Sequence, residues 1–200
     1  HQMGAQVDQS LETATQALLS NDRELAQSVI DGDASLNELC QQVESQVFTS
    51  IVRYQPVASD LRELFADAFV SNELERIGDY AVGLAKMVLS EQDVLPELVV
   101  DELKELSELS RNMVARALDA FVATSADEAR AVARDDEQVD AGETALMLKS
   151  REQLRQGGEE ALAHANAMVA AHIFERIADR ATNIAERAVF HADGTHENLN

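Results

Sequence analysis

The sequence predicts an all-α protein built as a tandem repeat of one three-helix unit. The pentapeptide Glu75-Arg76-Ile77-Gly78-Asp79 returns one hundred positions later as Glu175-Arg176-Ile177-Ala178-Asp179, at half the length of a 200-residue chain. With two Pro and eight Gly there are few interruptions, and the prevailing Ala, Leu, Glu and Gln are strong helix formers. Turn and cap signals fall at matching places in both halves.

Taken in order, a first helix is expected from about Met3 to Leu19, stopped by Ser20-Asn21-Asp22. The opening His1-Gln2-Met3 already lies inside a helical pattern, as at a fragment edge. Asp31-Gly32-Asp33 offers an N-cap region for a second helix running to about Arg53. Gln55-Pro56 ends it, because the residue before a proline avoids helical angles. A long third helix follows to about Glu91. Gln92-Asp93-Val94-Leu95 then links the halves, dividing the chain into units 1–93 and 94–200. Pro96 opens the fourth helix, where its missing N–H is harmless, and that helix runs from about Glu97 to Val122 before Thr124-Ser125. The fifth runs from near Asp135 to Leu154 and ends at Gln156-Gly157-Gly158; the sixth runs from about Glu159 to His191. Segments 20–34 and 123–136 read as turns or kinks. Short antiparallel connections favour three-helix bundles.

The repeat extends past the acid motif. Leu11 answers Val114, Ala14 answers Ala117, Leu18 answers Phe121, Val29 answers Val132 and Asp33 answers Asp136, a shift of 103 that falls to 100 by Glu75. On the third helix of each unit, Leu74, Ile77, Ala81, Leu84 and Val88 match Phe174, Ile177, Ala181, Ile184 and Ala188 as core stripes. Glu75 and Asp79 fall off that stripe, toward solvent, joined by Asn72; His172 stands in the matching place beside Glu175 and Asp179.

Composition narrows the function. A net charge of −21 argues against a nucleic-acid partner, since phosphate contacts need a basic face. It suits cations or basic protein surfaces. The single cysteine, Cys40, cannot close an internal disulfide, which points to a reducing compartment. No stretch reaches the roughly 18 apolar residues of a spanning helix.

The chemistry available is carboxylate. Glu75 and Asp79, and Glu175 and Asp179, stack four residues apart on a helix. A second pair recurs at the start of the middle helix, Asp33 and Asn37 answering Asp136 and Asp140. Two readings stand: oxygen ligands for a hard cation such as Mg²⁺, Mn²⁺, Ca²⁺ or iron, or solvated and N-capping acids. His172-x-x-Glu175 reverses the Glu-x-x-His order of di-iron bundles, and outward acids do not suit a buried di-iron core. Arg76 and Arg176 read as surface ion-pair partners and Cys40 as core. No phosphate-binding glycine loop, hydrolase triad or zinc spacing is present.

Gln55-Pro56-Val57-Ala58-Ser59-Asp60-Leu61-Arg62 followed by Leu74-Glu75-Arg76-Ile77-Gly78-Asp79 resembles the signature of the PhoU family of bacterial phosphate-transport regulators. Phe174-Glu175-Arg176-Ile177-Ala178-Asp179 with Ala181-Thr182-Asn183-Ile184-Ala185-Glu186 resembles that family's second repeat. The resemblance spans essentially the whole chain. It implies two pseudo-symmetric three-helix bundles and, on their surfaces, multinuclear metal: iron first, with Zn, Mn, Ni or Mg as alternatives. Carried over, the ligands are Glu75, Asp79, Asp33 and Asn37 in one half, and Glu175, Asp179, Asp136 and Asp140 in the other. The chain departs from the family where His commonly follows each motif Asp, carrying Tyr80 and Arg180 instead. Gly83, Lys86 and Asn37 further weaken the first half, so weaker metal occupancy is expected there.

The resemblance implies a cytoplasmic, non-enzymatic adaptor between the ATPase of a phosphate ABC transporter and a sensor histidine kinase, and an exposed acidic face bridged by metal suits a homodimer. It would repress phosphate-starvation genes and approach the membrane only through its partners. The alternatives are a multinuclear-iron redox or hydrolytic enzyme, and a structural cation-binding bundle.

Overall fold

The structure, a computed structural model, describes residues 1–90, 95–158 and 160–199. The described residues form seven α-helices: α1 (Gln2–Ser20), α2 (Arg23–Tyr54), α3 (Ser59–Ser90), α4 (Val100–Val122), α5 (Ala126–Arg134), α6 (Asp136–Gln156) and α7 (Ala161–Asp193). A 3₁₀ turn, Glu97–Val99, follows Pro96 and leads into α4. Among the described residues there is no strand, and no helix is long and apolar enough to cross a membrane. The expected end of the third helix at Glu91, the link Gln92–Val94 with the 93/94 unit boundary, and the expected start of the last helix at Glu159 lie outside the described residues.

Local chemistry sets most boundaries. Asn21 ends α1 in the left-handed region (φ 52), which Asn tolerates. Gln55 (φ 49) ends α2 immediately before Pro56. Gly157 (φ 70) and Gly158 (φ 134) end α6 in conformations that side-chain-bearing residues rarely adopt.

The start of the middle helix is a correction. Asp31-Gly32-Asp33 is not an N-cap: α2 runs unbroken through it. Asp22 caps the helix instead, its carboxylate accepting from the backbone N–H of Glu24 at 2.9 Å and Leu25 at 3.1 Å. Gly32 costs about 1 kcal/mol against alanine in a helix interior. Burial of Val29 and Leu36 on either side outweighs that. Arg23, next to the cap, donates to the carbonyls of Val88 (2.9 Å) and Leu89 (2.6 Å), tying the start of α2 to the end of α3.

In the second unit the matching segment does break. Asp135 (φ −77, ψ −15) separates α5 from α6, and bonds from Asp135 N to Val132 O and from Gln138 N to Asp135 O tighten the chain into a 3₁₀-like step. Arg116 of α4 grips Asp135 and also Glu128 of α5. The expected middle helix of this unit is therefore preceded by a short extra helix, α5.

Helices α1, α2 and α3 pack on one another, as do α4 to α7, and the units join along α3 with α7 and α1 with α4. One continuous apolar core runs through both. Its large members include Leu18, Ile77, Leu84, Leu103, Met113, Phe174 and Ile184, each contributing about 1.5–3 kcal/mol by burial. Every residue of the two expected core stripes is buried. Helices α3 and α7 touch both their own unit and the other, so their buried faces are wide.

Two details of this packing differ between the repeats. A Cβ on Gly78 would stand 2.2 Å from Leu36 Cδ2, whereas the second unit carries Ala178 and Val139 in the matching positions, both buried. At the seam, Glu73 of α3 is buried, and its Oε2 accepts from Arg180 Nη1 (3.3 Å) and Asn183 Nδ2 (3.1 Å) of α7. The repeat-related contact is apolar: Ile173 Cδ1 lies 3.7 Å from the place of a Cβ on Gly83. Tyr80 meets Arg176 Nε through its hydroxyl at 3.5 Å. Both departures from the family pattern, Tyr80 and Arg180, thus serve the seam.

Candidate metal centre

Each unit sets its third-helix acids beside its middle helix, at the start of α6 in the second unit and in the interior of α2 in the first. In the second unit Asp136, Asp140 and Glu143 follow one another at spacings of four and three along α6, one stripe of a helix. They face Glu175 and Asp179 of α7. Asp136 has its carboxyl pushed up to about 6, first by burial and then by the charges of Asp140 and Asp179. Asp140 is raised by burial, Asp179 and Glu143; Glu175 by burial, Asp179 and Glu143. These groups repel one another in partial burial, which is the condition a cation relieves.

The acids are less open than their helical angles suggest. Glu175 and Asp179 side chains are only 17% and 21% exposed, because α6 lies against α7 beside them. Asp140 and His172 are exposed, while Asp136 is partly covered. Asp179 is partly neutralised by Arg176 Nη1 at 2.9 Å, as a surface pair of small worth.

The first unit is poorer. Asp33, Asn37 and Glu75 are partly buried and Asp79 exposed. Asn37 Nδ2 donates to Asp33 Oδ2 at 3.0 Å, which occupies the pair internally. Asn72 Nδ2 donates to Glu44 Oε1 at 3.2 Å. Glu75 is raised by burial and then by Asp79, with Arg76 opposing and Asp33 and Glu44 adding to the rise. Cys40 stands where the shift of 103 places Glu143. Its thiol donates to the Ser71 carbonyl at 3.7 Å and is held protonated by burial, so it offers no thiolate.

The donor chemistry therefore fits a metal in the second unit, with four carboxylates at the expected positions and Glu143 beyond them. Glu175 Oε2 strengthens the fit: it is sealed from solvent and makes no hydrogen bond among the described residues, although His172 Nδ1 lies 3.2 Å away. The first unit offers three carboxylates and an amide, the amide already committed. Sequence reasoning missed Glu143, whose signal was its continuation of the Asp136–Asp140 stripe. It also missed Glu73, which no periodicity marks.

A family model described as the PhoU domain matches residues 1–88 and 103–188. The chain belongs to the PhoU family. The match falls on both repeats. Among curated PhoU relatives, the "Phosphate-specific transport system accessory protein PhoU homolog" of Rhizobium meliloti (strain 1021) is 30% identical over 194 residues, 96% of this chain and 82% of the relative. The Escherichia coli (strain K12) "Phosphate-specific transport system accessory protein PhoU" is 30% identical over 192 residues, 96% of this chain and 80% of the relative. The crystal structure of PhoU from Pseudomonas aeruginosa superposes with a TM-score of 0.88 at 29% identity, covering 96% of this chain and 93% of that one. The Streptococcus pneumoniae phosphate transport system regulatory protein PhoU gives 0.89 at 30% identity, covering 98% and 92%.

Proposed function

We propose that this PhoU-family chain is a non-catalytic accessory regulator of phosphate uptake and phosphate-starvation signalling. It acts as a cytoplasmic adaptor, a homodimer, between the ATPase of a phosphate ABC transporter and a sensor histidine kinase, and meets the membrane only through them. Units 1–93 and 94–200 supply its two acidic faces. The observation that supports this reading is the family match on both repeats, with relatives named as accessory proteins of the phosphate-specific transport system. The net charge of −21 favours basic protein surfaces as partners over nucleic acid.

In this reading Asp136, Asp140, Glu175 and Asp179 hold a metal, iron or another divalent or trivalent ion, with a weaker site at Asp33, Asn37, Glu75 and Asp79. The ion supplies positive charge that offsets the mutual repulsion of the acids and ties α6 to α7. A cleft of about 830 Å³ opens elsewhere, lined by Met3, Val43, Asp67, Leu118 and His191 among others, away from these acids. The carboxylate faces are surfaces for ions and proteins, and lie outside that cleft.

Gene deletion tests the role. A phosphate-starvation reporter is expected to be switched on in high phosphate when the protein is absent. Full repression without it overturns the adaptor reading. Turnover by the metal-loaded protein that Glu175→Ala removes would instead favour an iron enzyme. Failure to capture either transporter or kinase components would favour a structural cation-binding bundle.

A further inference from the structure

Arg62 ends the first stretch of the family signature, and the carboxylate faces leave it without a role. It reaches from the first turn of α3 to the C-terminal end of α7. Its guanidinium carbon lies 6.0 Å from the centre of the Phe190 ring, and a Cβ on Gly194 would stand 2.2 Å from its Nη1. Arg187 of α7 joins it, 5.3 Å from the same ring and 4.0 Å from that of Phe69. His196 stacks on Phe190 with centroids 4.1 Å apart. Among the described residues neither guanidinium has a hydrogen bond or an ion pair. We propose that Arg62 and Arg187 form a binding site for a phosphate-type dianion, free or as the head of a monoester.

The missing counter-ion is the unusual part, since the chain carries 37 acidic residues against 16 Lys and Arg. The acids nearby are engaged elsewhere. Asp193 and Glu197 hold Arg130 Nη2 at 2.8 and 2.6 Å, and Glu186 accepts from the Leu199 N–H at 2.9 Å. Glu73 answers Arg180 and Asn183. The Nε of Arg62 and of Arg187 is sealed from solvent without a partner. Burial draws the Arg187 pKa below its ordinary value, against the pull of Glu186 and Glu73. Stacking on phenylalanine offsets only part of such desolvation, and a bound anion answers the rest. An arginine at a helix C-terminus ordinarily donates to the last carbonyls. Arg62 makes no such bond among the described residues; the Gly194 N–H donates to the Phe190 carbonyl itself at 2.9 Å.

Two guanidinium groups supply two positive charges, and each planar fork suits the edge of a tetrahedral oxyanion. An extended acidic peptide would bring further charges against a surface of net charge −21, which a compact dianion does not. The other repeat serves as a control within the chain. The shift of 100 puts Leu162, Met87 and Ser90 where this site has Arg62, Arg187 and Phe190. One site per chain follows. It shares no residue with the carboxylate faces and does not depend on the adaptor role, so the readings fail separately.

Isothermal titration calorimetry of the full-length, chelator-treated protein at low ionic strength, with inorganic phosphate and separately with methyl phosphate, tests the site. Saturation at one equivalent per chain is expected. Binding of inorganic phosphate alone assigns the site to the free ion, and binding of methyl phosphate extends it to a phosphorylated group. Arg62→Gln and Arg187→Gln should each weaken binding by more than about tenfold. Arg151→Gln, at an exposed arginine of α6, should not. Circular dichroism checks that each variant is folded. In the unaltered protein, phosphate should shield Arg62 and Arg187, but not Arg151, from phenylglyoxal, read by peptide mass spectrometry. That readout holds even where a variant fails to fold. No saturable binding of either anion, or undiminished binding in folded Arg62→Gln, overturns the site.

Discussion

Leu36 fills the space that Gly78 leaves open, its Cδ2 standing 2.2 Å from where a Cβ would be. The second repeat places Val139 and Ala178 in these positions. Each pair holds the same number of side-chain carbons, so the two middle helices approach their third helices with equal filling by opposite means. This spacing brings Asp33 toward Glu75 and Asp136 toward Asp179.

Gly78→Ala is expected to destabilise the protein. The alanine gains up to about 1 kcal/mol of helix propensity, but overpacking against buried Leu36 costs about 1–3 kcal/mol. Leu36→Val alone costs about 1 kcal/mol. Together they recreate the second repeat's pair, and urea denaturation should show the double variant more stable than the sum of the singles by about 1 kcal/mol or more. Simple additivity would refute the exchange.

Glu73→Ala should cost up to about 3 kcal/mol, because Arg180 then keeps a mostly buried charge with only Asp179, 4.0 Å away, to answer it. The Asn183 amide loses its acceptor as well. Adding Arg180→Tyr, the first repeat's residue, is expected to recover part of the loss in thermal unfolding. No recovery would mean that the charge left behind is not the cause.

The acidic face also sets a pH dependence. Asp136 titrates near 6 in the folded protein against 3.8 when free. Between those values the folded chain holds a proton that the unfolded chain has released. This group therefore favours folding on the acid side and loses that advantage as pH rises through 6. Partial exposure and solvent screening limit the effect to about 1 kcal/mol. Asp136→Asn should raise stability at about pH 7.5 and change little at about pH 4.5. An equal effect at both pH values would count against a raised carboxyl.

Mn²⁺ should raise the thermal midpoint by binding the folded state alone. That rise should disappear in Asp179→Asn and persist in Asp79→Asn, since the second unit has the denser carboxylate set. The reverse pattern in differential scanning calorimetry would move the principal site to the first unit.

Much of the fold could be read from the sequence because its punctuation is local. Gln55-Pro56 and Gly157-Gly158 dictate backbone angles whatever packs around them, and the core stripes of α3 and α7 repeat at helical period. The start of α2 was misjudged because Asp22 and Asp31-Gly32-Asp33 are both capping signals. Only the burial of Val29 and Leu36 decides between them. At the candidate centre, the acid pairs on single helices were legible. Glu143 was not, since its meeting with His172 depends on how α6 lies against α7. Glu73 was hidden for a related reason: a charge inside an apolar seam looks, in one dimension, like any surface acid.

That seam also fixes which half can sit opposite which. A chain made by joining the first unit to itself would set two glutamates against Tyr80 and Gly83, with no cation to receive them. One made from two second units would press isoleucine onto arginine and asparagine. Duplication has therefore given way to a division of labour that is hard to undo. The halves now match only each other, and exchanging one for its sibling would cost the protein its mating surface before it touched any ligand.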